Sequence, residues 1–287
     1  MAKKPEKKAR KKRPPKGAPI PMVSIDGIEV TPTLLKQVVP STVDGKADCT
    51  LTYGMFAVCR GRQQLGTFKL RKQVKDDGIV LKLTMDDGQC KGFTQKVNAT
   101  MHCKKDRLST PRRWSYAEEM VGQGRPVALT KIGKTGVAKE KKITIEDQIG
   151  KQEIAVPNPY TLNWALYDAV GRLPRKKFDP LEFDLIDHFD QLKPKNKLYY
   201  RSTQDVALGK GMTKLHLFDH FGFGNLPWTY FVDDNGVVVI ALAGLEAYGL
   251  LASERNGTTD NNKARLRSHA RATPWQSPRT AEIGGGV

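Results

Sequence analysis

The chain has 287 residues, 39% of them hydrophobic, and 48 Lys+Arg against 30 Asp+Glu give it a formal charge of +18. That length is ample to bury a core, and the apolar fraction excludes a wholly disordered chain. The longest apolar run, Val237 to Ala243, is too short to cross a bilayer, and 26 glycines with 17 prolines suit a turn-rich chain better than a helical bundle.

The charge is uneven. Residues 1–17 carry +8 and residues 253–287 carry +3, leaving +7 for the 235 residues between them. A Lys/Arg/Pro segment with almost no apolar side chain cannot offset its ordering entropy. Residues 1–44 are therefore expected to be a disordered basic tail and linker, and 253–287 a disordered polar tail. Lys3, Lys4, Lys7, Lys8, Arg10, Lys11, Lys12 and Arg13 would contact phosphates, whether of nucleic acid or of an anionic membrane surface. The bland alternative is a solubilising spacer. Pro14-Pro15-Lys16-Gly17 follows the basic stretch where a signal peptide would have an apolar segment. The chain is then cytoplasmic, or belongs to the cell envelope or periplasm if an export signal is missing from it.

Between the tails the dominant period is two. Phe93, Gln95, Val97, Ala99, Met101 and Cys103 share one face of a strand whose other face is polar, and Phe68, Leu70 and Val74 oppose Thr67, Lys69, Arg71, Gln73 and Lys75. Alternation over ten residues marks a half-buried antiparallel strand. Strands are predicted near 49–60, 65–75, 79–86, 91–104, 112–120, 125–132, 136–146, 181–188, 197–208, 212–222, 227–233 and 237–243. Hairpin turns fall at Asp76-Asp77-Gly78, Asp86-Asp87-Gly88, Gly209-Lys210-Gly211 and Asp233-Asp234-Asn235-Gly236. One helix, 159–173, interrupts this meander. Asn158 stands at its N-cap and Pro159 at N1, and Leu162, Ala165, Leu166, Ala169, Val170 and Leu173 recur at helical spacing.

Motifs that suggest chemistry are weak. Ala128 to Thr135 satisfies a permissive phosphate-loop pattern, but a returning strand follows where a helix is required. His216 and His220 lie about 13 Å apart along a strand and cannot share a metal without a bulge. His188, Asp219 and His220 could still meet across strands as a catalytic cluster of a hydrolase. Cys49, Cys59, Cys90 and Cys103 lack the spacing of a zinc or redox site, so neither metal nor cofactor is expected. Lys69, Arg71, Lys75, Lys96 and Lys104 make a basic strand face without the aromatic interleaving of a nucleic-acid groove.

Tyr53-Gly54-Met55-Phe56, the Leu226-Pro227-Trp228-Thr229-Tyr230 strand start and Gly244 to Tyr248, set in this order around long alternating strands and a helix, resemble uncharacterised bacterial envelope proteins, planctomycete ones among them. At the level of fold the arrangement also resembles lipoprotein-carrier half-barrels. The resemblance spans roughly residues 45–250 and implies a long curled antiparallel sheet without a catalytic signature.

The fold expected is mainly β: residues 45–252 form one curled, open or half-barrel sheet packed on one amphipathic helix. A curled sheet over a helix leaves an apolar concavity. The function expected is a non-enzymatic protein that holds a hydrophobic ligand or lipid, with Phe68, Phe93, Trp164, Tyr167, Trp228 and Tyr230 as ligand contacts. The alternative is a nucleic-acid-associated or coat-like protein using the basic tail.

Overall fold

A computed structural model describes residues 22–57, 64–87, 93–122, 131–244 and 246–256, apart from the side chains of Asp87 and Phe93. The first half of the sheet comprises β3 (Cys49–Ala57), β4 (Gln64–Lys75), β5 (Gly78–Asp87), β6 (Phe93–Cys103), β7 (Pro111–Gly122), β8 (Lys131–Lys139), β9 (Lys142–Asp147) and β10 (Lys151–Ala155). The second half comprises β11 (Tyr160–Leu162), β12 (Leu181–Asp187), β13 (Gln191–Leu208), β14 (Gly211–Phe221), β15 (Trp228–Asp233), β16 (Val238–Ala243) and β17 (Glu246–Arg255). They form a single 15-stranded sheet whose order runs from β10 back to β3, across to β17, and back again to β11. Every described pairing is antiparallel except β11 with β12.

The sheet curls without closing its ladder. β10 and β11, neighbours in sequence, are its two ends. Side chains bridge the seam instead: Tyr160 OH donates to Pro111 O at 2.7 Å and Thr161 Oγ1 to Leu108 O at 2.7 Å. Trp114 Nε1 donates to Phe189 O at 3.1 Å, and Lys134 Nζ lies 2.5 Å from Asp190 Oδ2.

Alternation marks the inner face as expected: Phe68, Leu70, Leu81, Leu83, Val97, Ala99 and Met101 are all buried, while Lys69, Arg71, Lys82 and Asn98 are exposed. The run Val237 to Ala243 does not alternate because both faces of β16 are covered.

Several sequence expectations are corrected. Residues 22–44, read above as linker, form a hairpin of β1 (Val23–Ile25) and β2 (Ile28–Val30) followed by α1 (Pro32–Gln37), whose N-cap Thr31 accepts from Leu34 N. This segment lies on the sheet's outer surface: Val39 N donates to Leu250 O, Gly209 N to Leu35 O, and Arg201 clasps Asp26. The 159–173 helix is shorter than expected. Tyr160–Leu162 is a strand, Asn163–Ala165 a 3₁₀ turn and only Leu166–Gly171 is α2, because Asn158 and Pro159 hydrogen-bond to Asp184 of β12 rather than capping a helix. The expected apolar stripe is nonetheless buried in full. Finally, 136–146 is not one strand but the β8–β9 hairpin, 151–155 and 246–255 are strands, and the described chain continues ordered past Ser253 to Asn256.

α2 sits against the β15–β16 turn so tightly that a Cβ on Gly171 would lie 2.0 Å from Gly236 O. Its Asp168 reaches the sheet wall, where Oδ1 is 2.5 Å from the buried Lys72 Nζ.

Candidate functional site: an aromatic cavity inside the curled sheet

A cavity of about 560 Å3 opens inside the curl. β3, β5, β6 and β7 supply Met55, Met85, Gln95, Val97 and Tyr116, the helical segment supplies Asn163, Trp164 and Tyr167, and β14, β15 and β17 supply His220, Trp228, Tyr230 and Tyr248. The period of two places Trp228 and Tyr230 on the same inner face. Their rings stack at 5.7 Å with 13° between planes, and Trp228 stacks on Tyr248 at 5.7 Å and 7°. Tyr230 continues the row to His220 at 6.5 Å, and Tyr167 meets Tyr230 edge-on at 6.1 Å. The exposed lining residues His188, Gly224, Leu226 and Glu246 gather at one end and form the mouth.

The polar groups of this wall are constrained. Asn196 Nδ2 donates to Lys193 O at 2.7 Å, so its Oδ1 accepts from His220 Nε2 at 2.9 Å and from Asn225 Nδ2 at 2.6 Å. His220 thus carries its proton on Nε2 and a bare lone pair on Nδ1. Burial pushes its pKa down to about 4, against a smaller upward pull from Asp187, so the ring is neutral. Asn163 Oδ1, Tyr167 OH and His220 Nδ1 are buried without a hydrogen-bond partner in the protein. Burial also holds the Tyr167 and Tyr230 phenols far above their ordinary range. Near the mouth Asp187 pairs with Lys193 at 2.6 Å, and Tyr248 OH donates to Glu246 at 2.5 Å.

Four of the six ligand contacts read from sequence, Trp164, Tyr167, Trp228 and Tyr230, line this cavity. Phe68 does not: it stands behind the wall, stacked on Tyr53 at 4.6 Å and edge-on to Trp164 at 5.0 Å. The side chain of Phe93 lies outside the described residues, as do Cys59, Cys90 and the basic residues Lys3, Lys4, Lys7, Lys8, Arg10, Lys11, Lys12 and Arg13. Cys49 and Cys103 are buried free thiols, and burial raises the Cys49 thiol to about 11.

His188, Asp219 and His220 are not brought together. Successive residues of β14 face opposite ways: His220 turns inward, while Asp219 accepts from Arg201 at 2.9 Å and Thr229 at 2.8 Å. The His188 side chain is largely exposed and lies 3.8 Å from Asp187. His216 is held between Thr203 at 2.8 Å and Asp234 at 2.9 Å. No group of three or more metal-ligating side chains is assembled among the described residues, and none of their helices is long and apolar enough to span a membrane.

Sequence reasoning misses Lys72, Asp168, Tyr116 and Tyr248. Lys72 does carry a signal: it shares the register of Phe68, Leu70 and Val74, which implies a charge pointed inward. Tyr248 lies on a strand that the residue pattern does not announce.

These features define a class: a β-barrel-like protein with one curled, unclosed sheet, a helical plug and an interior cavity. No protein-family model matches the chain, and no curated protein matches its sequence. Among solved structures it is similar to the crystal structure of a β-barrel-like protein of a domain of unknown function, DUF1849, from Brucella abortus. The TM-score is 0.50 at 9% identity over 74% of this chain and 99% of the other, a likeness of fold alone.

Proposed function

We propose that the protein is a non-enzymatic binding protein that holds a hydrophobic ligand or lipid inside its curled sheet. The cavity carries this reading: about 560 Å3, within the range of small-molecule sites, and walled by stacked aromatic rings. Transfer of apolar ligand surface out of water would supply the affinity, at about 25 cal/mol per Å2. The polar groups at the mouth suit a ligand with one hydrated end. The basic tail would tether the protein to an anionic surface.

The probe for this site is N-phenyl-1-naphthylamine, which fluoresces in apolar surroundings. The wild type is expected to take it up saturably, and Ala243→Trp, which fills the cavity from β16, to weaken uptake at least tenfold while remaining folded. Equal uptake by the folded variant, or none by the wild type, overturns the reading.

A nucleic-acid-associated or coat-like role has one observation in its favour. On the outer face Arg71 stands directly opposite Lys82. None of the ion pairs among the described residues involves Arg71 or Lys82. Like charges paired across strands are unfavourable, and phosphates would relieve them. Filter binding to duplex DNA tests it: a salt slope that shrinks in Arg71→Ser/Lys82→Ser supports this second reading, and no binding at low salt ends it.

A further inference from the structure

Beside the cavity mouth, the turn between β14 and β15 reads Phe221-Gly-Phe-Gly-Asn-Leu-Pro-Trp228. Phe223 is 78% exposed, Leu226 64% and Phe221 45%, and no charged residue occurs from Phe221 to Val232. An apolar patch of this kind, contiguous and free of charge, is often a functional surface. Nor is the loop a loose strand end. Asn225 N donates to Gly222 O at 3.3 Å and Asn225 Nδ2 to Asn196 Oδ1 at 2.6 Å, and Asn196 is fully buried. A Cβ on Gly222 would sit 1.9 Å from Asn196 Oδ1, so only glycine allows this close seat. The backbone is fixed: Phe223 and Leu226 point out from the turn, and Phe221, the last residue of β14, stands beside them half-exposed with its ring edge-on to Tyr199 at 6.1 Å.

Two observations identify the occupant. The first is area: the three side chains offer roughly 350 Å2, taking about 200 Å2 for a full aromatic side chain. A stable protein interface needs about 800 Å2 per partner, more than twice what these side chains supply by themselves, whereas a patch of this size is enough for shallow insertion among lipid head groups. The second is continuity. Gly224, Asn225 and Leu226 of the same loop line the cavity, so the apolar tip and the cavity mouth form one surface.

We propose that the β14–β15 loop docks the protein on a lipid bilayer, with Phe221, Phe223 and Leu226 entering the interface and the cavity mouth facing the membrane. The surface stands on the loop's own exposure and seating; its use for loading the cavity rests on the binding role proposed above.

The test is flotation of the full chain with phosphatidylcholine vesicles in high salt, which silences the basic tail. Wild type is expected to float, and Phe221→Ser/Phe223→Ser to lose at least tenfold in partitioning. Neither residue lines the cavity, so N-phenyl-1-naphthylamine uptake and the melting temperature are expected to stay near wild type. In the Phe223→Trp variant, emission of the introduced indole is expected to shift to the blue and to be quenched by brominated acyl chains. The proposal is overturned if the wild type does not float, if the double variant floats equally, or if the indole of the Phe223→Trp variant stays unquenched. Self-association through the loop without flotation also overturns it. Failure of dye uptake with flotation intact removes the cavity reading and leaves the docking surface standing.

Discussion

The ion pair between Lys72 and Asp168 ties the helical plug to the sheet wall, and its two halves are not equivalent. The side chains are 5% and 2% exposed. Lys72 Nζ has two partners, Asp168 Oδ1 at 2.5 Å and Gly45 O at 2.7 Å. The Asp168 contact is ionic rather than an aligned hydrogen bond, since Oδ1 receives none. Asp168 Oδ2 is better served: Ser109 donates at 2.6 Å and Arg172 Nε at 3.1 Å. Asp168→Ala strips a buried ammonium of its counter-charge and takes the acceptor from the Ser109 hydroxyl proton, while Ser109 Oγ still accepts from Arg172. Breaking a buried pair this way costs about 3–5 kcal/mol. Lys72→Met removes the ammonium but leaves the carboxylate with Arg172 and Ser109, so the loss is nearer that of one charged hydrogen bond, about 1.5–3 kcal/mol. At about 2–4 °C per kcal/mol for a domain of this size, Asp168→Ala is expected to melt roughly 6–20 °C lower and Lys72→Met roughly 3–12 °C lower. Calorimetry and guanidinium unfolding on the three proteins measure both. A Lys72→Met cost equal to or above that of Asp168→Ala refutes the asymmetry.

Other consequences are simpler to read. His220 is neutral in the folded state with a pKa near 4, against about 6.5 in the unfolded chain. Unfolding therefore takes up a proton between those values, and stability falls as pH drops from 6.5 toward 4, by about 3 kcal/mol. His220→Gln is expected to flatten that part of the stability–pH curve measured by urea unfolding; an unchanged slope contradicts the assignment. Gly171→Ala forces a methyl against Gly236 O and is expected to cost about 1–3 kcal/mol, with Gly171→Ser worse; a neutral melting temperature would show that α2 is not seated on that turn. Trp114→Phe removes the hydrogen bond to Phe189 O across the seam. It is expected to cost about 1–3 kcal/mol and to speed hydrogen exchange in 188–190 more than in β4 or β5; uniform exchange would argue against a local seam.

The legible part of the sequence is the part whose outer face is wet. β4, β5 and β6 alternate because water lies on one side, and their inner rows can be read down to Met101 and Cys103. Where a second layer covers the sheet the signal vanishes. Residues 22–44 read as linker because Ile25, Val30, Leu34, Leu35 and Val38 are too sparse to stand as a core alone; they make sense only against the outside of β13 and β17. The helix reads too long because Pro159 and the spacing of Leu162, Ala165 and Leu166 fit a helix start, while the parallel pairing of Tyr160 with Asp184 is a long-range fact. For the site, Trp228 and Tyr230 are legible as inward residues of one strand. Which aromatic lines the cavity and which, like Phe68, stands behind it depends on packing between strands far apart in sequence.

The sheet order also bears on how the chain folds. Every neighbouring pair of strands is joined by a short local connection except β12 with β11, which the plug separates, and β3 with β17, where Cys49 lies opposite Arg255. The molecule is thus two local meanders, β3–β10 and β11–β17, joined along a single ladder. Forming that ladder means closing a loop of about 200 residues, which loop-closure entropy makes a slow event relative to the hairpins. A permuted chain cut between β10 and β11 and joined from Asn256 to Met22 would turn the same sheet into one run from β11 to β10, with only nearest neighbours pairing. What sets the folding rate is then where the backbone is cut, since the contacts of the finished sheet are the same in both.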